Sequence, residues 1–306
     1  MMQKLVSDEE IQRIAEAVGY RDSSRTFTLR KLIYFFLLAA MPQWKSFRHG
    51  ADVGPLYGLP TFHYSTVSKK AKEVPYDIMK RLLALIVSKC SRQTRRSLRV
   101  VDSTTVTVGK NRLPWAPYHG ERAGVKLHIA YSPESSLPAD VMETTGLRHD
   151  GPVGEPLTNA QQVLVEDQAY VKIERLDRFV EQHQLFVIRM KDNIELHQKN
   201  LETPFQHILI GSSRLHVPVG DETMPIDQAS PGIDLSRCKA TRHSGRDEPL
   251  PCVCGNHCRH VPTTLDRVEV FFRWVKPYLN VPTLCGTTEN VVYNQRFAVF
   301  MVYGLL

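Results

Sequence analysis

Three carboxylates in this chain, Asp102, Asp167 and Glu269, have the surroundings that metal-dependent phosphodiester chemistry needs. Asp102 follows the apolar residues Leu98, Val100 and Val101, where a buried strand is expected. An aspartate there is costly to desolvate unless a cation compensates it. Asp167 closes the apolar run VLVED in the same way, beside Glu166. Glu269 stands in RVEVFFRWVKPYLNV, where helical spacing puts Glu269, Phe272, Arg273 and Lys276 on one face. That face offers a carboxylate followed by two cations able to meet the same phosphates. Cleaving a phosphodiester takes an activated water and a stabilised leaving oxygen, and two magnesium ions about 4 Å apart provide both in many nucleases. Such hard ions take carboxylate oxygens and water. Each residue also has an ordinary reading, as a turn aspartate at a strand end or a surface ion pair on an amphipathic helix, and spacing alone leaves both readings open.

The elements that must position these residues follow from the hydrophobic pattern. From Leu98 the chain becomes β-branched, in LRVVDSTTVTV, KLHIAYSP and ADVMETTGL, separated by turns containing Gly or Pro. VLVEDQAY supplies a fourth apolar run, IERLDRFVEQH a helical pattern, and LFVIRMK a fifth strand. Three meandering strands followed by strand, helix and strand form the order of a ribonuclease-H-like α/β core with a mixed sheet.

Residues 1–96 read as a helical, DNA-binding domain in front of that core. Ser7 and Glu10 have capping-box spacing before Ile11, Ile14, Ala15 and Val18. Further helices are expected from Thr28 to Met41 and from Tyr76 to Ser88. Between them Ser65 is expected to cap a short helix carrying Ser68, Lys69 and Lys72 outward and ending before Pro75. That helix is either the recognition element of a helix-turn-helix or a solvated lysine face. The cluster Lys89, Arg92, Arg95, Arg96 and Arg99 is either a phosphate-gripping seam or a solvated linker.

Lys and Arg number 39 against 32 Asp and Glu, a net charge of +7 that favours polyanionic partners only modestly. The first fifteen residues lack the apolar centre of a signal peptide, and Leu32 to Met41 is too short to span a bilayer, so the expectation is a cytoplasmic protein with no membrane contact.

VVDSTTVTV, ETTGLRHDGPVG, LVEDQAYVKIERLDRFVEQHQLFVIRMKDN and VEVFFRWVKPYLNVPTLCGTTENVVYNQ closely resemble the blocks of the insertion-sequence-four family of transposases. The resemblance covers roughly residues 98–200 and 268–306. It implies that Asp102, Asp167 and Glu269 bind Mg2+ or Mn2+ as a catalytic triad. It also implies a double-stranded DNA substrate, a homodimer on that DNA, cleavage at the ends of the element, and attack of the freed 3′ hydroxyl on another phosphodiester. Family members carry Tyr, two residues, Arg, three residues, Glu, six residues, Lys. Lys276 matches the last position, whereas Pro262 and Leu265 occupy the tyrosine and arginine positions, and Gln168 stands where a basic residue usually follows the second aspartate.

The chain thus divides into 1–96, a first part of the core at 97–202, an aberrant region at 203–267, and C-terminal catalytic helices at 268–306. The aberrant region, with SRCKATRHSGRDEPLPCVCGNHCRHVPTTLD, loses strand periodicity and has the composition of a shifted reading frame. Cys252, Cys254, His257, Cys258 and His260 offer a zinc knuckle as the competing reading, although the spacing is tight for it. A helix capped by Thr287 is still apolar at Leu306, so a truncated copy is expected. The alternatives to a transposase are a non-catalytic DNA-binding remnant and a stand-alone metal-dependent nuclease.

Overall fold

The computed structural model describes residues 6–41, 44–90, 98–157, 161–166 and 284–305, with scattered positions between 168 and 188 and between 270 and 277. Among the described residues five α-helices precede the sheet. α1 (Asp8–Ala17) has the complete capping box, Ser7 accepting from Glu10 N and Glu10 accepting from Ser7 N, and it buries Ile11 and Ala15. Gly19, at φ +79°, turns the chain away, a conformation that glycine adopts without a steric penalty. α2 (Leu29–Ala40) sits between Thr28 and Met41 and is apolar on most sides, burying Leu32, Phe35 and Phe36 among others. α3 (Phe47–Val53), capped by Ser46, buries Phe47 and Gly50 and was not expected from the hydrophobic pattern.

α4 (Tyr64–Glu73) is capped by the His63 ring, which accepts from Ser65 N, and not by Ser65 as expected. His63 lies one residue ahead of the helix and offers a ring nitrogen at the place where a Ser or Asp oxygen usually sits. α5 spans Asp77–Cys90.

The sheet follows as β1 (Leu98–Gly109), β2 (Arg122–Ser132), β3 (Leu137–Thr145), β4 (Val163–Glu166) and β5 (Phe186–Ile188), with a single helical turn, α6 (Asp150–Gly154), between β3 and β4. Its order is β3-β2-β1-β4-β5. β1 pairs antiparallel with β2 and β2 with β3, while β4 runs parallel to both β1 and β5. The fold is therefore mixed α/β, with β1 at the join between an antiparallel and a parallel half.

α7 (Glu289–Leu305) closes the described chain and is buried from Val291 to Val302. Thr288 stands immediately ahead of it, one residue later than the expected cap at Thr287. α7 packs on α2, α4 and α5 and touches β3. One apolar cluster consequently runs from Ile11 and Phe35 through Leu82 and Ile129 to Phe300. Among the described residues no helix is long and apolar enough to cross a membrane.

Candidate active site

β1 and β4 are paired from Leu98 with Val163 to Val101 with Glu166. β4 ends there, while β1 continues against β2 as far as Gly109. Asp102 is the first residue of β1 beyond the parallel pair, and it is half-buried. It lies at the end of a pairing and not, as expected, at the end of its strand. Its cross-strand neighbour is Ile129, and pleat alternation places it on the face of Val100, Thr104 and Val106. Its Oδ1 accepts from Ser103 N at 2.7 Å. Asp167, the next residue after Glu166, lies outside the described residues, as do Glu269 and Lys276.

The residues that follow Glu269 are described in part, and they pack on the face that carries Asp102. Phe271 and Val275 are fully buried. The Phe271 ring stacks on Tyr131 with centroids 4.4 Å apart. Tyr131 is the cross-strand partner of Val100, two residues before Asp102. Arg273, on the other side of the same helical turn, is exposed.

The opposite face of the sheet holds a second polar group. Glu166 is buried and receives two hydrogen bonds from Arg175, from Nη1 to Oε2 and, at 2.8 Å, from Nη2 to Oε1. Burial raises the Glu166 carboxyl, and the Arg175 bonds pull against that rise. Arg175 also donates to Tyr170 O at 3.3 Å and lies over the Phe179 ring. The Tyr170 hydroxyl meets His128 Nδ1 at 3.2 Å, and His128 Nε2 meets Thr144 Oγ1 at 3.1 Å. Burial lowers the His128 pKa to about 4 against the opposing pull of Asp150, so at neutral pH the ring is uncharged and its 3.4 Å contact with Asp150 is not an ion pair. The sequence reading passed over His128 inside KLHIAY and Arg175 inside IERLDRF. The only local signal was a charged or titratable residue in an apolar run.

The other expected residues lie in the helical part. Lys69 and Lys72 are exposed on α4 and Ser68 is half-buried, while α4 packs on α2, α3 and α7. Lys70, between them, is buried against Asp22 and is not part of an outward face. Arg99 is buried and spent on Leu157 O, Gln162 and Asp140, and Lys89 pairs with Glu10. Neither fits the phosphate-gripping seam. Arg92, Arg95 and Arg96 lie outside the described residues, as do Gln168's side chain, Pro262, Leu265 and the Cys and His residues of the zinc reading. Among the described residues no group of three His, Cys, Asp or Glu could hold a metal ion.

The domain description "Transposase DDE domain" matches residues 93–244. The match runs past Thr203, so the family pattern continues into the first part of the region read as aberrant. A probable transposase for insertion sequence element IS5377 from Geobacillus stearothermophilus is 70% identical over 327 aligned positions, covering 100% of this chain and 83% of the relative. The chain belongs to the DDE transposases of bacterial insertion sequences. A putative transposase, y4zB, from Sinorhizobium fredii is 27% identical over 76% of this chain and 67% of its own length. A solved structure of piggyBac transposase in a synaptic complex with hairpin DNA aligns over 99% of this chain and 72% of that chain at TM-score 0.43 and 10% identity, too loose a likeness to add to the assignment.

Proposed function

We propose that this transposase cuts and rejoins double-stranded DNA at the ends of its insertion sequence, using Asp102, Asp167 and Glu269 to hold Mg2+ or Mn2+ in a ribonuclease-H-like core. The observation that carries the reading is the position of Asp102, one residue past the end of the parallel β1–β4 pair and on the sheet face that receives Phe271. Three carboxylates are a hard-oxygen donor set that fits such a cation, and Glu166, bound by Arg175 on the other face, is not available as a substitute. When bound, the ions supply charge neutralisation and an activated water for in-line attack. The chain's own part is placement. β1 holds Asp102 through its ladder with β2, and the Phe271 side chain, stacked on Tyr131, holds the residues after Glu269 against the sheet. Arg273 and Lys276 are assigned to phosphate contacts near the cut. Residues 1–96 are assigned to DNA binding, with Ser68, Lys69 and Lys72 as the contacts offered by α4, on a homodimer that holds two ends.

The test is cleavage of a duplex carrying the repeat that flanks the gene, with Mg2+ or Mn2+, by wild type and Asp102→Asn. Metal-dependent nicking followed by strand joining, both lost in Asp102→Asn with its melting temperature kept, is the expected result. Nicking without joining would make the protein a nuclease.

A second reading, a DNA-binding remnant of a transposase, is favoured by one finding. The alignment with the Geobacillus relative has 327 positions against 306 residues here, so this chain lacks segments that the relative has. Pro262 and Leu265 agree with a reading-frame shift that ends before Val268. Duplex binding without cleavage, and another frame that supplies Tyr and Arg seven and four residues before the glutamate, would establish the remnant.

A further inference from the structure

β4 has four residues and β5 three, so few ladder hydrogen bonds fix how far β4 slides along β1. A slip of one residue would exchange the two faces of β4, turning Val165 away from the cluster it shares with Val100 and bringing Glu166 onto the apolar face. A chain of polar and ring contacts resists such a slip. Glu166 has a fixed partner, because the planar Arg175 guanidinium meets both carboxylate oxygens and so accepts one orientation only. Arg175 is in turn held by Tyr170 O and the Phe179 ring, and Tyr170 by His128 of β2. Gly154 of α6 lets these groups close up, since a Cβ there would stand 2.9 Å from Arg175 Nη2 and 3.2 Å from Glu166 Oε1.

We propose that the Glu166–Arg175 pair is a register lock for β4, and that these two are positioning residues for the metal site that begins at Asp102. The inference rests on the reading of Asp102 as a metal ligand. A buried ion pair is a poor source of net stability, because desolvation of both charges offsets their attraction, and two apolar side chains of similar volume serve packing as well. Apolar side chains do not demand one register, and an ion pair with two parallel hydrogen bonds does. Removal of one partner alone would strand a buried charge and unfold the chain, so the informative variant replaces both.

The experiment titrates Mn2+ into the full chain by electron paramagnetic resonance, for wild type, Asp102→Asn, Arg175→Lys and the double variant Glu166→Leu with Arg175→Met, with a melting temperature for each. Affinity dependent on Asp102 is expected to fall at least about tenfold in the double variant while its melting temperature stays near wild type, with Arg175→Lys in between because it keeps the charge and gives up the second bond. Should the double variant be unfolded, Arg175→Lys decides in the same way. Binding that needs Asp102 but matches wild type in both variants would overturn the register lock and leave the metal reading in place. Binding that Asp102→Asn does not alter would overturn the metal reading and the lock with it.

Discussion

Phe271 lies against Tyr131 with ring planes 27° apart, and this stack fastens the residues after Glu269 to β2 beside the strand that carries Asp102. Tyr303 of α7 completes the contact in a T-shaped arrangement, its ring centroid 4.9 Å from that of Phe271. Phe271→Ala removes a fully buried ring and should cost about 3–5 kcal/mol, whereas Phe271→Leu, closer in volume, should cost about 1 kcal/mol. Urea unfolding followed by tryptophan fluorescence would measure both. If Phe271→Ala were as stable as wild type, the helical segment would not be held by this stack, and the placement of Glu269's neighbours on Asp102's face would lose its support.

The strands were readable because their signal is local. Val100, Val101, Val106 and Val108 with three threonines between them make β1 recognisable without any knowledge of its partners. The capping box at Ser7 and the limits of α2 are local in the same sense. What the sequence does not encode locally is pairing. Asp102 was expected to end a strand, and it ends only the parallel half of its pairing, because the shorter β4 stops first. The Glu166–Arg175 pair, the burial of Arg99 and the use of the His63 ring as a cap depend on groups brought together by the fold, from Arg99 to Asp140 for instance, and no periodicity reports them. Asp167 and Glu269 were singled out through family blocks and helical spacing, and they lie outside the described residues.

His128 gives the fold a dependence on acid. Its folded pKa of about 4 lies below the ordinary 6.5, because burial disfavours the charged ring, while Tyr170, Thr144, Asp150 and Lys126 surround it. A base with a depressed folded pKa adds no penalty above pH 6.5 and destabilises the fold increasingly as pH falls from 6.5 toward 4. Between pH 7.5 and 4.5 this one group should remove on the order of 2 kcal/mol. His128→Gln keeps polar atoms and has no such titration, so the stability difference between wild type and variant should shrink or reverse at pH 4.5. An equal difference at both pH values, from denaturation curves, would show that His128 protonates freely in the folded chain.

Gly154→Ala and Gly304→Ala should behave differently. A Cβ on Gly154 would stand 2.8 Å from the Tyr170 ring as well as against Arg175, so something in a fully buried corner must move, at a cost of about 1–3 kcal/mol. On Gly304 in α7 the nearest atom is the end of the Leu137 side chain at 3.3 Å, which can yield, and alanine gains up to about 1 kcal/mol of helix propensity there. Melting temperatures of the two variants, measured together, check the contrast. A harmless Gly154→Ala would mean that Tyr170 and Arg175 do not close on α6 as described.

Arg296 is the least comfortable residue in α7. It is fully buried, and among the described residues its three guanidinium nitrogens have no hydrogen-bond partner, whereas neighbouring Asn294 donates to Val74 O and Gln295 accepts from Cys285 N. Burial lowers its pKa to about 10 from 12.5, so the side chain is still charged at neutral pH. An uncompensated buried charge costs about 3–5 kcal/mol, and Arg296→Met should return most of it, because a thioether of similar length fills the same space without that demand. The sign with pH follows from the depressed pKa of a base. The cost is present in full below pH 10, constant between pH 6 and 9, and relieved only as pH rises through 10 toward 12.5. Arg296→Met should therefore raise stability by on the order of 3 kcal/mol at both pH 6 and pH 9, and Arg296→Lys should not. If Arg296→Met melted at or below the wild-type temperature, the guanidinium would have a favourable partner in the folded protein, and α7 would be held by a polar contact and not only by its apolar faces.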